Sequence, residues 1–179
     1  MITRLLLTLI ISLLLANTAF AQRDYLTPQE VDLVKEAQIL DKRIDVFIRA
    51  AERRLITING SAAANAKQLK KESEGWGDLP AGSRAELVSD IARIVDAAID
   101  NIDNVSMHDE RSPLISKSLR KLAASMNAIM AQLKPFGEQA KSDAEVASFE
   151  QLNEGVKSIM EAATKLPPEV EKKAKKDKN

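Results

Sequence analysis

Three times along this chain a threonine or serine stands three residues ahead of a glutamate, just before a run of apolar side chains. The boxes are Thr27-Pro28-Gln29-Glu30, Ser83-Arg84-Ala85-Glu86 and Ser142-Asp143-Ala144-Glu145. In such a box the hydroxyl accepts from the backbone amide three residues on, and the glutamate accepts from the cap's own amide. Two of the amides that a helix start leaves unpaired are thereby satisfied.

Behind the first box, Leu33, Ala37, Leu40, Ile44, Phe47 and Ala51 alternate in steps of four and three, the seam of a helix packing on others. That seam predicts one long helix from Thr27 to Asn59-Gly60, where both residues tolerate the left-handed backbone that ends helices. The second box is followed by Leu87, Ile91, Ile94, Ala98, Ile102 and Val105, and the third by Phe149, Leu152, Val156, Ile159, Ala163 and Leu166. Between them Ser112-Pro113 opens a helix on Ile115, Leu119, Leu122, Met126, Ile129 and Leu133, which Pro135 and Gly137 are expected to end. Leu122 falls on the seam, and Lys121 beside it is read as facing solvent. No window alternates in the manner of a strand. The fold expected is all-α, a four-helix bundle with antiparallel neighbours.

Net charge by segment suggests which helices are neighbours. Residues 113–134 carry Lys117, Arg120, Lys121 and Lys134 with no acid, whereas 84–105 and 143–166 each carry five acids and two bases. The basic helix is therefore expected to lie between the two acidic ones.

Residues 61–74 are helix-permissive with a faint apolar face around Leu69, so the long first connection can supply a short fifth helix. Gly75 to Gly82 reads as a loop from its glycine and proline content. Met126, Met130 and Met160 lie on or beside the seams and read as core filler.

The first 21 residues read as an address, not as structure. Arg4 precedes an apolar run from Leu5 to Leu15, and Ala19-Phe20-Ala21 supplies the small-x-small pattern that signal peptidase cuts, here before Gln22. Eleven residues at about 1.5 Å each fall well short of the roughly 30 Å of a bilayer core, so no stable membrane anchor is expected after cleavage. There is no twin arginine, which favours general secretion, with a periplasmic or extracellular destination. Residues 22–168 then form the helical domain, and 169–179, rich in lysine, are expected to be a disordered tail.

Composition removes several chemistries. The chain has no cysteine and one histidine, which excludes disulfides, thiolate nucleophiles and the paired Glu-x-x-His motifs of di-iron bundles. Lys plus Arg equals Asp plus Glu at 26 each, so nothing electrostatic draws the protein to nucleic acid. Asp96, Asp100, Asp103 and Asp109, near His108, are the only candidates for a hard cation, and they lack a calcium-loop spacing. Surface carboxylates at helical spacing are commonplace, so no metal and no cofactor is expected. His108 is linked to no recognisable nucleophile and reads as solvated.

Trp76, the sole tryptophan, is either a partner-binding residue or a plug folded against the open end of the bundle. The plug recovers more apolar area. The function expected is a secreted or periplasmic, non-catalytic binding or interaction module with an unidentified protein partner. The alternative is a sensor-like bundle holding a small apolar ligand between its helices.

Overall fold

The computed structural model describes residues 24–167; the expected export signal over 1–21 and the expected tail over 169–179 lie outside the described residues. Among the described residues the chain forms six helices and no strand. They are α1 (Pro28–Glu36), α2 (Leu40–Ile58), α3 (Ala66–Trp76), α4 (Arg84–His108), α5 (Pro113–Glu138) and α6 (Asp143–Thr164).

Two of the three boxes close fully. Thr27 Oγ1 accepts from the Glu30 amide at 3.2 Å while Glu30 Oε2 accepts from the Thr27 amide at 2.9 Å. Ser83 and Glu86 do the same at 3.3 and 2.7 Å. In the third, Ser142 Oγ accepts from the Glu145 amide at 3.2 Å, but Glu145 turns its carboxylate to Arg84 at 2.7 Å and ties α6 to α4. The α5 helix runs through Pro135 and ends three residues later, at Glu138.

The expected single first helix is two. The chain breaks at Ala37 to Ile39, where Ile39 is extended, and the seam from Leu33 to Leu40 continues across the break by coincidence of spacing. Arg43 stabilises the break from inside α2: its Nε donates to the freed carbonyl of Ala37 at 3.0 Å, and its Nη1 donates to Asn101 on α4 at 2.9 Å. The fifth helix does occupy the long first connection. It extends further than expected, taking in Gly75 and ending on Trp76, with Gly77 (φ +63°) as its cap.

Side-chain pairings give the direction of each long helix against its neighbour. Arg43 pairs with Asn101 and Arg54 with Asp90, so α2 and α4 run antiparallel. Asp41 pairs with Lys117 and Lys121, and Asn59 with Gln132, so α2 and α5 run parallel. Arg84 meets Glu145 and Asp96 meets Gln151, so α4 and α6 are parallel too. Arg120 donates to the Pro167 carbonyl while Gly137 lies against Phe149, which makes α5 and α6 antiparallel. The backbones of α4 and α5 approach each other only sparingly, and those of α2 and α6 do not come close.

Two expectations change accordingly. Antiparallel packing holds for only some neighbouring pairs, because the short link at 109–112 reverses the chain but lays α5 beside α2. The basic helix has α2 and α6 as its main neighbours. Its lysines find Asp41 and Asp45 on α2, a local acidic pair in a helix that is not acidic overall.

The centre is filled by Ile44, Phe47, Ile91, Ile94, Leu122, Met126, Leu133, Leu152 and Ile159, all essentially inaccessible. Met130 packs at the edge of this cluster, but Met160 is 38% exposed and is not core. Gly155 lets α6 approach α4 closely: a Cβ there would come within 3.0 Å of Val95 Cγ1. Among the described residues no helix is long and apolar enough to cross a membrane.

Candidate functional site

The break after α1 has one large consequence. In a continuous helix Glu30 and Arg54 would stand about 36 Å apart, at 1.5 Å per residue. Folding α1 back brings them together, with Arg54 Nη1 donating to Glu30 Oε1 at 2.6 Å. Glu30 thus caps its own helix with one oxygen and holds α2 with the other.

Arg53 Nε lies 3.5 Å from the same Glu30 oxygen, and Arg54 Nε lies 3.8 Å from Asp90 Oδ2 on α4. All four side chains are 5% exposed or less, two positive and two negative, so the buried group is electrically balanced. Neither arginine Nε makes a hydrogen bond within the protein, so these two contacts contribute charge attraction alone.

Other guanidinium donors go to backbone carbonyls. Arg54 donates to the carbonyls of Ala50 at 2.9 Å and Tyr25 at 2.6 Å. Arg53 Nη2 donates to the carbonyls of Trp76, Gly77 and Asp78 at 3.2, 3.0 and 2.6 Å. Burial pulls the Arg53 guanidinium below its ordinary pKa, and the Glu30 charge opposes that; arginine starts so high that it stays protonated. Five segments meet at these four residues: the chain before α1, α1 itself, α2, the end of α3, and α4.

Beside this group an open cleft of about 690 Å³ runs between α1 and the turn at Pro80-Ala81. Leu26, Pro28, Val31 and Pro80 give it apolar walls, Asp24, Asp32 and Lys35 give it charge, and Arg54 is among its lining residues. Asp32 and Lys35 are about 70% exposed and pair loosely at 3.3 Å. The quartet offers no nucleophile. Both Glu30 oxygens already accept hydrogen bonds, so chemically it is a clasp that fixes the wall of the cleft.

A second polar cluster ties α2 to α5. Asp41, 5% exposed, accepts from Lys117 at 2.8 Å and Lys121 at 2.7 Å, and Lys121 also donates to Asp45 at 2.7 Å. Hydrogen bonds from Lys117 and Lys121 hold the Asp41 carboxyl below the usual carboxylate range. Burial draws the Lys121 ammonium down, but its bonds to Asp41 and Asp45 leave it raised overall. Lys121, read from the sequence as solvent-facing, is therefore a bridging residue.

The residues singled out from the sequence are scattered. Asp96, Asp100, Asp103 and Asp109 are all exposed, Asp109 as the cap of α4, and among the described residues no group of three or more His, Asp or Glu could hold a metal ion. His108 ends α4, exposed, with Nδ1 turned back to the Asn104 carbonyl at 2.7 Å. Trp76 is half-buried, packs against the core cluster and stacks under Arg53, whose guanidinium carbon is 5.5 Å from the ring centroid.

The quartet itself escaped the sequence reading, although a signal was present. Arg54 lies three residues beyond Ala51, on the extended seam of α2. Glu30 lies three residues before Leu33, on the seam of α1. Opposite charges at seam positions are what a buried pair looks like in sequence. Comparison with protein-family models, with curated proteins and with solved structures finds no match to this chain.

Proposed function

We propose that this is an exported helical module that works by binding and not by catalysis. Its body is a four-helix bundle of α2, α4, α5 and α6, braced by α1 and α3, and its recognition site is the cleft over Arg54. The observation that carries the reading is the pairing of that cleft with the buried quartet. Apolar walls with charged residues at the rim suit a protein or peptide partner, and the clasp holds both walls in place before binding, which limits the ordering cost of association. The filled centre between the long helices supports this over a small apolar ligand held inside the bundle.

Export rests on Arg4, the Leu5–Leu15 run and Ala19-Phe20-Ala21. N-terminal sequencing of protein recovered outside the cytoplasm should begin at Gln22; full-length chain held in the membrane fraction would remove the localisation. For the cleft, Asp32→Trp places a bulky side chain at an exposed position on its lining. Co-purification from the native host with quantitative mass spectrometry should recover a partner with wild type and lose it with this variant, at equal thermal stability. A partner retained by both would move the site elsewhere.

A further inference from the structure

We propose that α3 is a hinged flap, fixed at its C-terminal end and free to lift at its N-terminal end from the groove between α2 and α5. Its two ends are held very differently. At the C-terminal end the buried Arg53 donates to three successive carbonyls at 2.6–3.2 Å, a cation placed where the helix dipole is negative. Trp76 is the one α3 residue packed against the core cluster, and Gln29 of α1 lies over Gly77.

The N-terminal end has none of this. Asn65 makes no side-chain cap, its amide turning back to the Ser61 carbonyl at 2.8 Å, and no acid stands in the first turn. No residue of α3 is buried. The segment leaves α2 at Gly60 (φ +61°), where the Gly60 and Ser61 amides close the cap on the Thr57 and Ile56 carbonyls at 3.1 and 3.0 Å, so the pivot is the exposed turn beyond it, residues 62–64. One side-chain tether spans the gap: Glu72 Oε2 accepts from Arg49 at 2.6 and 3.0 Å, and Arg49 also serves Glu52 at 3.0 Å.

Beneath the free end lies a groove of about 600 Å³. Ser61, Asn65 and Gln68 form its flap side, and Leu55, Ile56 and Ile129, all under 8% exposed, lie among its other walls. An element with little buried surface and one tether opens at a free energy far below that of global unfolding. Lifting it uncovers apolar surface that the closed form hides, so the flap sets how much of this groove the protein presents.

The absence of cysteine makes the test clean, because a single introduced thiol reports its own exposure. Ile56→Cys, in the groove, should label under native conditions at least about tenfold faster than Val88→Cys in the α4 core. Adding Glu72→Gln should raise the Ile56→Cys rate several-fold and leave the Val88→Cys rate unchanged. On wild type, with no substitution, amides of residues 61–72 should exchange at least about tenfold faster than those of α4. The proposal fails if the two thiols label alike, if Glu72→Gln accelerates both or neither, or if 61–72 are protected as well as α4.

Discussion

Glu30 is the residue whose charge the fold uses most. Replacing it by Gln keeps the shape and an oxygen able to accept from the Thr27 amide, so the cap survives and the charge alone is removed. Arg53 and Arg54, each 1% exposed, would then keep Asp90, beside Arg54, as the one acid within the buried group, with Glu72 acting on Arg53 only through its charge. At an effective dielectric near 20, a charge pair about 4 Å apart is worth roughly 4 kcal/mol. Part of that is returned because the carboxylate no longer has to be desolvated. Breaking one side of a buried pair typically costs about 3–5 kcal/mol. The expected loss is therefore about 3 kcal/mol, out of the roughly 5–15 that hold a domain of this size. Thr27→Ala, which removes only the cap, should cost about 1 kcal/mol. Urea titrations followed by far-ultraviolet circular dichroism and by Trp76 emission give both numbers. A double-mutant cycle with Arg54→Met should return a coupling of about 2 kcal/mol. If Glu30→Gln lies within about 0.5 kcal/mol of wild type, or no lower than Thr27→Ala, the quartet does not stabilise the packing of α1 as argued.

Four further outcomes follow from the packing. Lys121→Asp sets a third carboxylate against Asp41 and Asp45 and should cost about 1–3 kcal/mol, whereas Leu122→Asp buries an unpaired charge in the core and should leave the protein unfolded; thermal melts separate the two. Because the folded Asp41 pKa lies below its unfolded value of about 3.9, its contribution is complete above that pH and is lost as pH falls through the folded value. Lys121→Met should accordingly move the acid-unfolding midpoint upward, and an unchanged midpoint would show that Asp41 is not held by this lysine. Gly77→Ala, at φ +63° with Gln29 Cδ 3.0 Å from the new Cβ, should lose about 1–3 kcal/mol, while Gly75→Ala, with open space, should gain up to about 1; matched denaturation curves check the opposite signs. Trp76→Ala should lower stability by roughly 1–3 kcal/mol, less than a fully enclosed tryptophan, and wild-type emission should be partly shielded from iodide; fully quenchable emission would mean the ring does not pack on the core.

Much of the helical content was legible along the chain. The boxes at Thr27, Ser83 and Ser142 mark helix starts in the structure, and the seams from Leu87, Ile115 and Phe149 supply most of the buried side chains of α4, α5 and α6. These features are legible because a cap and a seam are relations between residues three or four apart, fixed by the geometry of one helix. The break at Ala37–Ile39 was hidden because the seam crosses it in step, and the group that stabilises it, Arg43, reaches back from beyond it.

The candidate site was almost wholly a tertiary decision. Glu30 and Arg54 fall on seam positions, but they meet each other, and are joined by Arg53 and Asp90, only when α1 folds back and α4 lies alongside α2. The placement of α5 beside α2 was equally out of reach, since apolar seams resemble one another and net helix charge pointed to α4. Sequence by itself decided where α1, α4, α5 and α6 start and which face of each is apolar, because those depend on neighbours within one turn. Which faces meet depends on side chains 24 to 80 residues apart, such as Glu30 with Arg54 and Asp41 with Lys121, and only the folded chain brings those into range.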